Sequence, residues 1–576
     1  MHLLKKYLKT YWKWVVLAPV GMCAEVFSEI MLPKLMTKVL HQGVVNQDWV
    51  YIREIVGVML LILAVGLLGG ITCLVFAGKA SQSAGADIRR DLFKKIQQFS
   101  YTNIDKYKPS SFITRLTNDI TQVQTVMMVS MRLLVRAPLL CVGSIVMAVS
   151  IQPQLSLLIL VMVLAVCVVI TIMIRKGFPA FRQVQGKLDT VNAVMRENLA
   201  GLRVVRAFVK EKYEKERFDA VNKDYRDTSL HAFGIMIMIM PCMVVILNCT
   251  IVGVLWFGAK LVDANLLLVE EIMAYITYLM QILISLTMIA MSLMLISRGK
   301  VSLGRISEIL EEHIDIENPK ECKYPNTNEG RVEYRHVYFQ YVKEAKEPVL
   351  KDITFTAEPG ETIGILSQTG AGKSTLVQLM PRLYDVSEGE VFIDGINVKD
   401  YDLTTLRKKV AIVLQETILF SGTIRENICW GSPNASEEEM IAAAKSAQAH
   451  EFIMGLQDGY DTVIGQNGVN LSGGQKQRVS IARTLLLNPS VLIFDDSTSA
   501  VDTVTEKKIQ KALKEMPCTK FIIAQRISSI QHADKIMLLH QGRIAALGRH
   551  EELMENSQEY RDIYNSQLER EEVSHE

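Results

Sequence analysis

Up to about Ile296 the chain is organised as apolar runs of roughly 20 residues, the length that a helix needs to cross a bilayer. Six such runs lie near 14–40, 52–78, 132–151, 154–174, 237–261 and 272–296. No other feature limits the fold so strongly. In hydrocarbon each backbone N–H and C=O has to be satisfied without water, so runs of this length and spacing are expected to be membrane helices. The 49% hydrophobic content of the 576 residues is concentrated in this half. The opening MHLLKKYLKTYWKWVVLAPV sets a basic region before an apolar one. Its apolar stretch continues past Glu25 and Glu29 with no small-residue cleavage site, which points to an uncleaved first span and not a signal peptide.

The charges between the runs set an orientation. Lys5, Lys6, Lys9 and Lys13 precede the first run, Arg175 and Lys176 follow the fourth, and Arg298 and Lys300 follow the sixth. The SIQPQ turn is uncharged and LVDANLLLVEE is acidic. Basic residues favour the cytoplasmic side, so both termini are expected there, with the chain a multi-pass protein of the plasma membrane. The connections expected on that side are long. KASQSAGADIRRDLFKKIQQF mixes charge with a sparse apolar stripe and contains no proline, so it reads as a helix continuing out of the membrane. Some 20 extra residues would extend such a helix by about 30 Å. Breaks occur at YTNIDKYKPSSF and around VRAFVKEKYEKERF. Of the nine cysteines, six fall in the apolar runs and none forms a C-x-x-C pair. Small buried apolar residues are expected there, with neither a zinc site nor a disulfide framework.

Beyond about Gly330 the pattern changes to short strands and turns. The apolar strand ETIGIL runs into SQTGAGKST and then into the helical LVQLMPRL. This is the strand–loop–helix setting of a phosphate-binding loop. Ser367, Gln368, Thr369, Gly370, Ala371, Gly372 and Thr375 would wrap the phosphates, with Lys373 on the terminal ones and the Ser374 hydroxyl on Mg²⁺. Ser367 stands where the strict motif has its first glycine. Further on, SVLIFDD is an apolar strand ending in two acids, so Asp495 would emerge beside the loop and orient Mg²⁺. Between these motifs, Ser472, Gly473, Gly474 and Gln475 of LSGGQKQRVSIAR open a helix, whose positive end is a second anion-binding surface. One chain thus carries two phosphate surfaces, where a simple nucleotide hydrolase needs one.

With these motifs in hand the chain closely resembles the ATP-binding cassette (ABC) transporters. LSGGQ is their signature, and the order matches throughout: Tyr341, SQTGAGKST, Gln415 in VLQETILFSGTIREN, LSGGQ, then FDD with SAVD ending at Asp502. The membrane half resembles the exporter branch through SSFITRLTNDITQVQ and ENLAGLRVVRAFVKEKYEKERF. The resemblance implies an α-helical six-span membrane domain of the type I (type IV) exporter fold, plus an α/β P-loop nucleotide-binding domain. It places the membrane domain at 1–300, a linker at 301–330 and the ATP-binding domain at 331–576. It also implies a dimer of such halves holding two ATP molecules with Mg²⁺. Each site would take Tyr341, the phosphate loop, Gln415 (also near Mg²⁺) and the carboxylates from one chain, with the signature and Asp502 from the other. ATP would close the pair and hydrolysis reopen it, switching a central cavity between its two orientations.

Departures from the family pattern fall mainly on one nucleotide. Where the family has a glutamate after the metal-binding aspartate, this chain has Asp496, and where it has a histidine after the next strand, this chain has Gln525. Gln466 replaces a customary glutamate ahead of the signature. The signature itself is intact. This asymmetry implies a heterodimer in which Asp496, Gln525 and Gln415 serve a slow site, while LSGGQ completes the active site of a second half-transporter subunit. Export of hydrophobic or amphipathic compounds is the expected function. A lipid flippase or peptide exporter, homodimeric or heterodimeric, is the near alternative, a homodimer with slow sites is the other assembly, and a regulatory ATP-binding subunit without transport of its own is the alternative class. The bilayer, the second subunit and the small-molecule substrate are the expected partners, and nucleic acid is not among them. Glu25 and Glu29, four apart in the first run, would face water, a cationic substrate or a structural counter-ion. Tyr275, Tyr278 and Gln281 are candidates for a cavity wall.

Overall fold

The computed structural model describes residues 2–575 apart from 326, 343–346, 368–369 and 498–500. The chain divides into two compact units, one of Met1–Gln97 with Pro109–Glu312, the other of Gln98–Lys108 with His313–Glu576.

The first unit is helical. Among the described residues, six helices are long and apolar enough to cross a membrane: Trp12–Val44, Trp49–Gln97, Pro109–Ile151, Pro153–Ala200, Glu211–Asp263 and Val269–Glu311. Each contains one of the six apolar runs and most extend far beyond it. The second helix has 49 residues, about 74 Å at 1.5 Å per residue. The extension of the second helix has no proline to interrupt its backbone hydrogen bonding, while those of the third and fourth pass through wider-wound turns at Arg115–Asp119 and Met173–Gly177, the latter just before Pro179. The chain breaks at Ser100, which caps the short helix Tyr101–Asp105 through a reciprocal bond pair with Asn103. It breaks again at Gly201, ahead of the short helix Leu202–Ala207.

Close approach of the first two helices depends on glycine. A Cβ on Gly69 would lie 2.6 Å from the Gly21 carbonyl oxygen, and one on Gly66 would lie 2.6 Å from the Ser28 side chain. Small residues allow such contacts, and here Ser28 also donates to the Ile62 carbonyl at 2.9 Å.

Polar residues inside the apolar runs are used for packing. Tyr275 and Tyr278 are fully buried. The Tyr278 hydroxyl donates to the Ile30 carbonyl at 2.9 Å. Gln281 donates to the Glu29 carbonyl at 3.1 Å and accepts from Ser144 at 2.7 Å. Tyr278 and Gln281 therefore join helices, because a buried polar group in an apolar bundle is satisfied most cheaply by a neighbouring helix, and all three residues are buried in the packing and not on a cavity wall. The cysteines also depart from expectation: Cys73 is buried, whereas Cys23, Cys167, Cys242 and Cys249 face outward from the bundle. An outward position is compatible with a small apolar residue when the surrounding medium is lipid.

Glu25 and Glu29 share one counter-ion, Arg136 of the third helix. Its guanidinium contacts Glu25 and donates to Glu29 at 2.9 Å. The side chains of all three remain partly exposed, so the interaction is weaker than that of a fully enclosed pair. The counter-ion reading of the two carboxylates is thus the one realised in the structure. Replacing Arg136 with glutamine strands two carboxylates and is expected to cost about 1–3 kcal/mol. Glu25→Gln and Glu29→Gln on that background should recover most of it, as read by thermal unfolding of the purified protein in detergent.

The second unit contains the sheets. A six-stranded sheet runs in the spatial order 543–548, 535–540, 362–366, 519–523, 491–495, 410–413. All neighbours pair parallel except the terminal hairpin of 535–540 with 543–548. Parallel pairing needs both faces covered, and the strand Val491–Asp495 is buried along its whole length. A second, antiparallel sheet contains the strands Val332–Phe339, Leu350–Ala357 and Glu388–Ile393. Its inner residues, including Tyr334, Phe355 and Val391, join one core with Ile363, Leu376 and Phe521.

Candidate nucleotide site

Strand order explains why the motifs converge. The strands 362–366, 519–523, 491–495 and 410–413 are consecutive neighbours and all run the same way. The loops leaving their carboxyl ends therefore open at one edge of the sheet, where ligands of open parallel sheets bind. Those four loops carry the phosphate loop, Gln525, Asp495 with Asp496, and Gln415.

A cleft of about 370 Å³ sits there. The loop residues Gly370, Ala371, Gly372, Lys373, Ser374 and Thr375 form one wall, and Tyr341, Gln415, Asp495, Asp496 and Gln525 complete it. Two glycines are required by the backbone, since Gly370 and Gly372 have φ of 86° and 95°. At these angles an L side chain is strained and backbone amides can turn inward around an anion. A Cβ on Gly372 would also lie 3.0 Å from Leu350 Cδ2. Gln368 and Thr369 lie outside the described residues.

Lys373 Nζ donates to the Ser367 carbonyl at 2.9 Å. Ser367 serves this contact through its main chain, so serine in place of glycine leaves the contact intact. Ser374 Oγ donates to Asp495 Oδ1 at 2.8 Å. A hydroxyl and a carboxylate held together beside the Gln415 amide form an oxygen-donor set that fits Mg²⁺ when a phosphate supplies further oxygens. Burial moves both central charges towards neutrality. It pushes the Asp495 carboxyl up, opposed by the Ser374 bond and reinforced by Asp496, with Lys373 opposing it again. It pulls the Lys373 ammonium down, against the attraction of Asp496 and Asp495. A bound polyphosphate would favour the charged form of Lys373, so the lysine is poised to gain from it.

Asp496 and Gln525 meet directly, with Gln525 Nε2 donating to Asp496 Oδ2 at 2.5 Å. The Tyr341 hydroxyl shares a hydrogen bond of 2.8 Å with Thr375 Oγ1. Ser472, Gly473, Gly474, Gln475 and Asp502 are not in the cleft wall. Ser472 caps the helix Gly473–Leu485 in a reciprocal pair with Gln475, the two bonds measuring 3.3 and 2.9 Å. Asp502 caps the helix Thr503–Lys514 by accepting from the Thr505 N–H at 2.9 Å. That backbone bond, more than any other contact, holds its carboxyl below the usual range. Sequence reasoning missed Val349 and Ile523, which also line the cleft. It missed Tyr384 too, whose ring lies 5.2 Å from that of Tyr341.

The model of the ABC transporter transmembrane region matches residues 14–286, and that of the ABC transporter matches residues 350–499. The ABC transporter ATP-binding protein YfiB of Bacillus subtilis is 41% identical over 569 residues, covering 98% of both chains. The chain belongs to the ABC transporter family. YgaD of Bacillus subtilis, named as a multidrug export ATP-binding/permease protein, is 34% identical over 84% of this chain and 83% of its own. The solved structure of a bacterial Atm1-family ABC exporter with ATP bound superposes with a TM-score of 0.77 at 25% identity, covering 98% of each chain. This ABC exporter therefore fuses a six-helix membrane region to an ATPase domain, and its ATP hydrolysis is coupled to transport. Gly372→Ala is expected to weaken binding of a fluorescent ATP analogue about tenfold, from backbone strain at positive φ. A titration of the purified variant against the unmodified protein measures this.

Proposed function

We propose that this chain is one half of a heterodimeric exporter of hydrophobic and amphipathic compounds, set in the plasma membrane with both termini cytoplasmic. In this reading ATP stacks its adenine on Tyr341 and its phosphates on the loop from Ser367 to Thr375. Ser374, Asp495 and Gln415 hold Mg²⁺, and the nucleotide is hydrolysed slowly. The residues Ser472 to Gln475 and Asp502 complete the faster site of the second subunit.

The bond between Gln525 and Asp496 carries the proposal. Asp496 stands where the family has a glutamate, and its reach is shorter by roughly 1.5 Å, a displacement that can cost about 100-fold in rate. Its carboxylate accepts from an amide, which occupies a lone pair that a base would use towards water. Gln525 stands where the family has a histidine and cannot become a cation over the terminal phosphate. Two further observations support the reading. The signature residues keep their helix cap, and they lie apart from the cleft of their own chain, as expected for groups that serve a second nucleotide. The likeness to YgaD supports export of varied apolar compounds, and the basic residues flanking the spans support the orientation.

The isolated chain is expected to bind ATP but to turn it over at a small fraction of the rate of the assembled pair. Asp496→Glu combined with Gln525→His should raise turnover at this chain's own site about tenfold or more once a second subunit is present to complete that site. Steady-state phosphate release decides this, and brisk hydrolysis by the unmodified chain alone would overturn the assignment.

A further inference from the structure

The helix Gln558–His575 lies outside the motifs that form the nucleotide cleft, yet it reaches the segment that carries Gln525. Tyr560, Ile563 and Tyr564 recur at helical spacing and pack on a core with Leu366, Ala524, Ile527 and Leu538. Tyr560 is fully buried, and its hydroxyl shares a 2.8 Å hydrogen bond with His550 Nδ1. Gln567 is the next position on that stripe, where the pattern calls for an apolar residue.

The Gln567 side chain bonds to main chain on both sides of Arg526. Its Oε1 accepts from the Ile527 N–H at 2.9 Å, and its Nε2 donates to the Gln525 carbonyl at 2.8 Å. A carboxylate could make only the first of these bonds, and an apolar side chain neither. The half-buried amide therefore does for this stretch what a neighbouring strand would do. Ser529 is fixed separately, its hydroxyl donating to Glu506 Oε1 at 3.0 Å and its carbonyl accepting from Gln510 at 3.1 Å. Gln525 itself is exposed, so the bond from Gln567, 42 positions away, is what holds its carbonyl. From that anchored main chain the Gln525 amide reaches Asp496 in the cleft wall.

We propose that Gln567 is a positioning residue for the nucleotide site. It fixes the main chain of Gln525 and so sets where the Gln525 amide stands over the terminal phosphate of bound ATP. A donor displaced by about 1 Å no longer makes a hydrogen bond, so the anchor decides whether that phosphate is met. The helix Gln558–His575 thereby takes part in distinguishing ATP from ADP, which lacks that phosphate. The proposal rests on the reading that Gln525 faces the terminal phosphate.

The full chain in lipid nanodiscs, titrated with fluorescent derivatives of ADP and of a non-hydrolysable ATP analogue, provides the test. The ratio of the two affinities is followed. Gln567→Met keeps the length and the packing of the stripe but loses both bonds. It should lower the preference for the triphosphate about fivefold, and Gln525→Ala should lower it by a similar factor. The double variant should fall no further than Gln525→Ala alone, since both changes remove one contact. A role confined to docking the helix would weaken both nucleotides together and leave their ratio unchanged. An unchanged ratio in Gln567→Met beside a lowered one in Gln525→Ala, or a double variant that falls further, would overturn the positioning role. An unchanged ratio in Gln525→Ala would instead overturn the terminal-phosphate role of Gln525, and the proposal with it.

Discussion

The 2.8 Å bond from Ser374 to Asp495 joins the first residues of the phosphate-loop helix to the end of a strand that lies two positions away in the sheet. The rest of the site depends on it being possible. It requires the strands 362–366 and 491–495 to flank 519–523 with all three parallel, which brings Gln525 between the two motifs. It also requires the buried, uniformly apolar character of VLIF, because only a strand covered on both faces can sit at the centre of such a sheet. The glycines at 370 and 372 supply the turn, and the sheet supplies everything that faces it.

The same economy of polar groups governs the helical unit. Tyr278, Gln281 and Ser144 bond to neighbouring helices, and Arg136 takes both carboxylates of the first helix. Polar side chains within apolar runs are costly unless partnered, and each of these has found a partner inside the bundle. Glycines at 21, 66 and 69 let the first two helices approach at backbone distance, so contact there does not depend on large interlocking side chains.

What could be read from the sequence follows from how local each signal is. The six spans were legible because their length and composition are set by the bilayer, and the phosphate loop because its turn is encoded in consecutive residues. Helix ends were not: the third helix begins at Pro109, well ahead of its apolar run, because the extension is polar and its hydrophobic stripe sparse. The partner of Glu25 and Glu29 was missed because Arg136 lies on another helix, and no spacing rule connects them. Tyr275, Tyr278 and Gln281 were expected to face a cavity, since composition cannot distinguish a polar group bonded to a helix from one facing water. Tyr384 escaped notice because its ring contacts are with residues distant in sequence, Tyr341 and Tyr101.

The proposed function turns on an asymmetry between two nucleotides. One chain presents a phosphate site whose carboxylate and amide bond to each other, together with a signature that keeps its cap. Photolabelling of the assembled exporter with an azido-adenine triphosphate carrying a radioactive terminal phosphate tests this most directly, because the base marks the chain that holds each nucleotide. After turnover, label attached to this chain near Tyr341 is expected to retain its terminal phosphate while label on the second subunit has lost it. Equal loss from both subunits would contradict it.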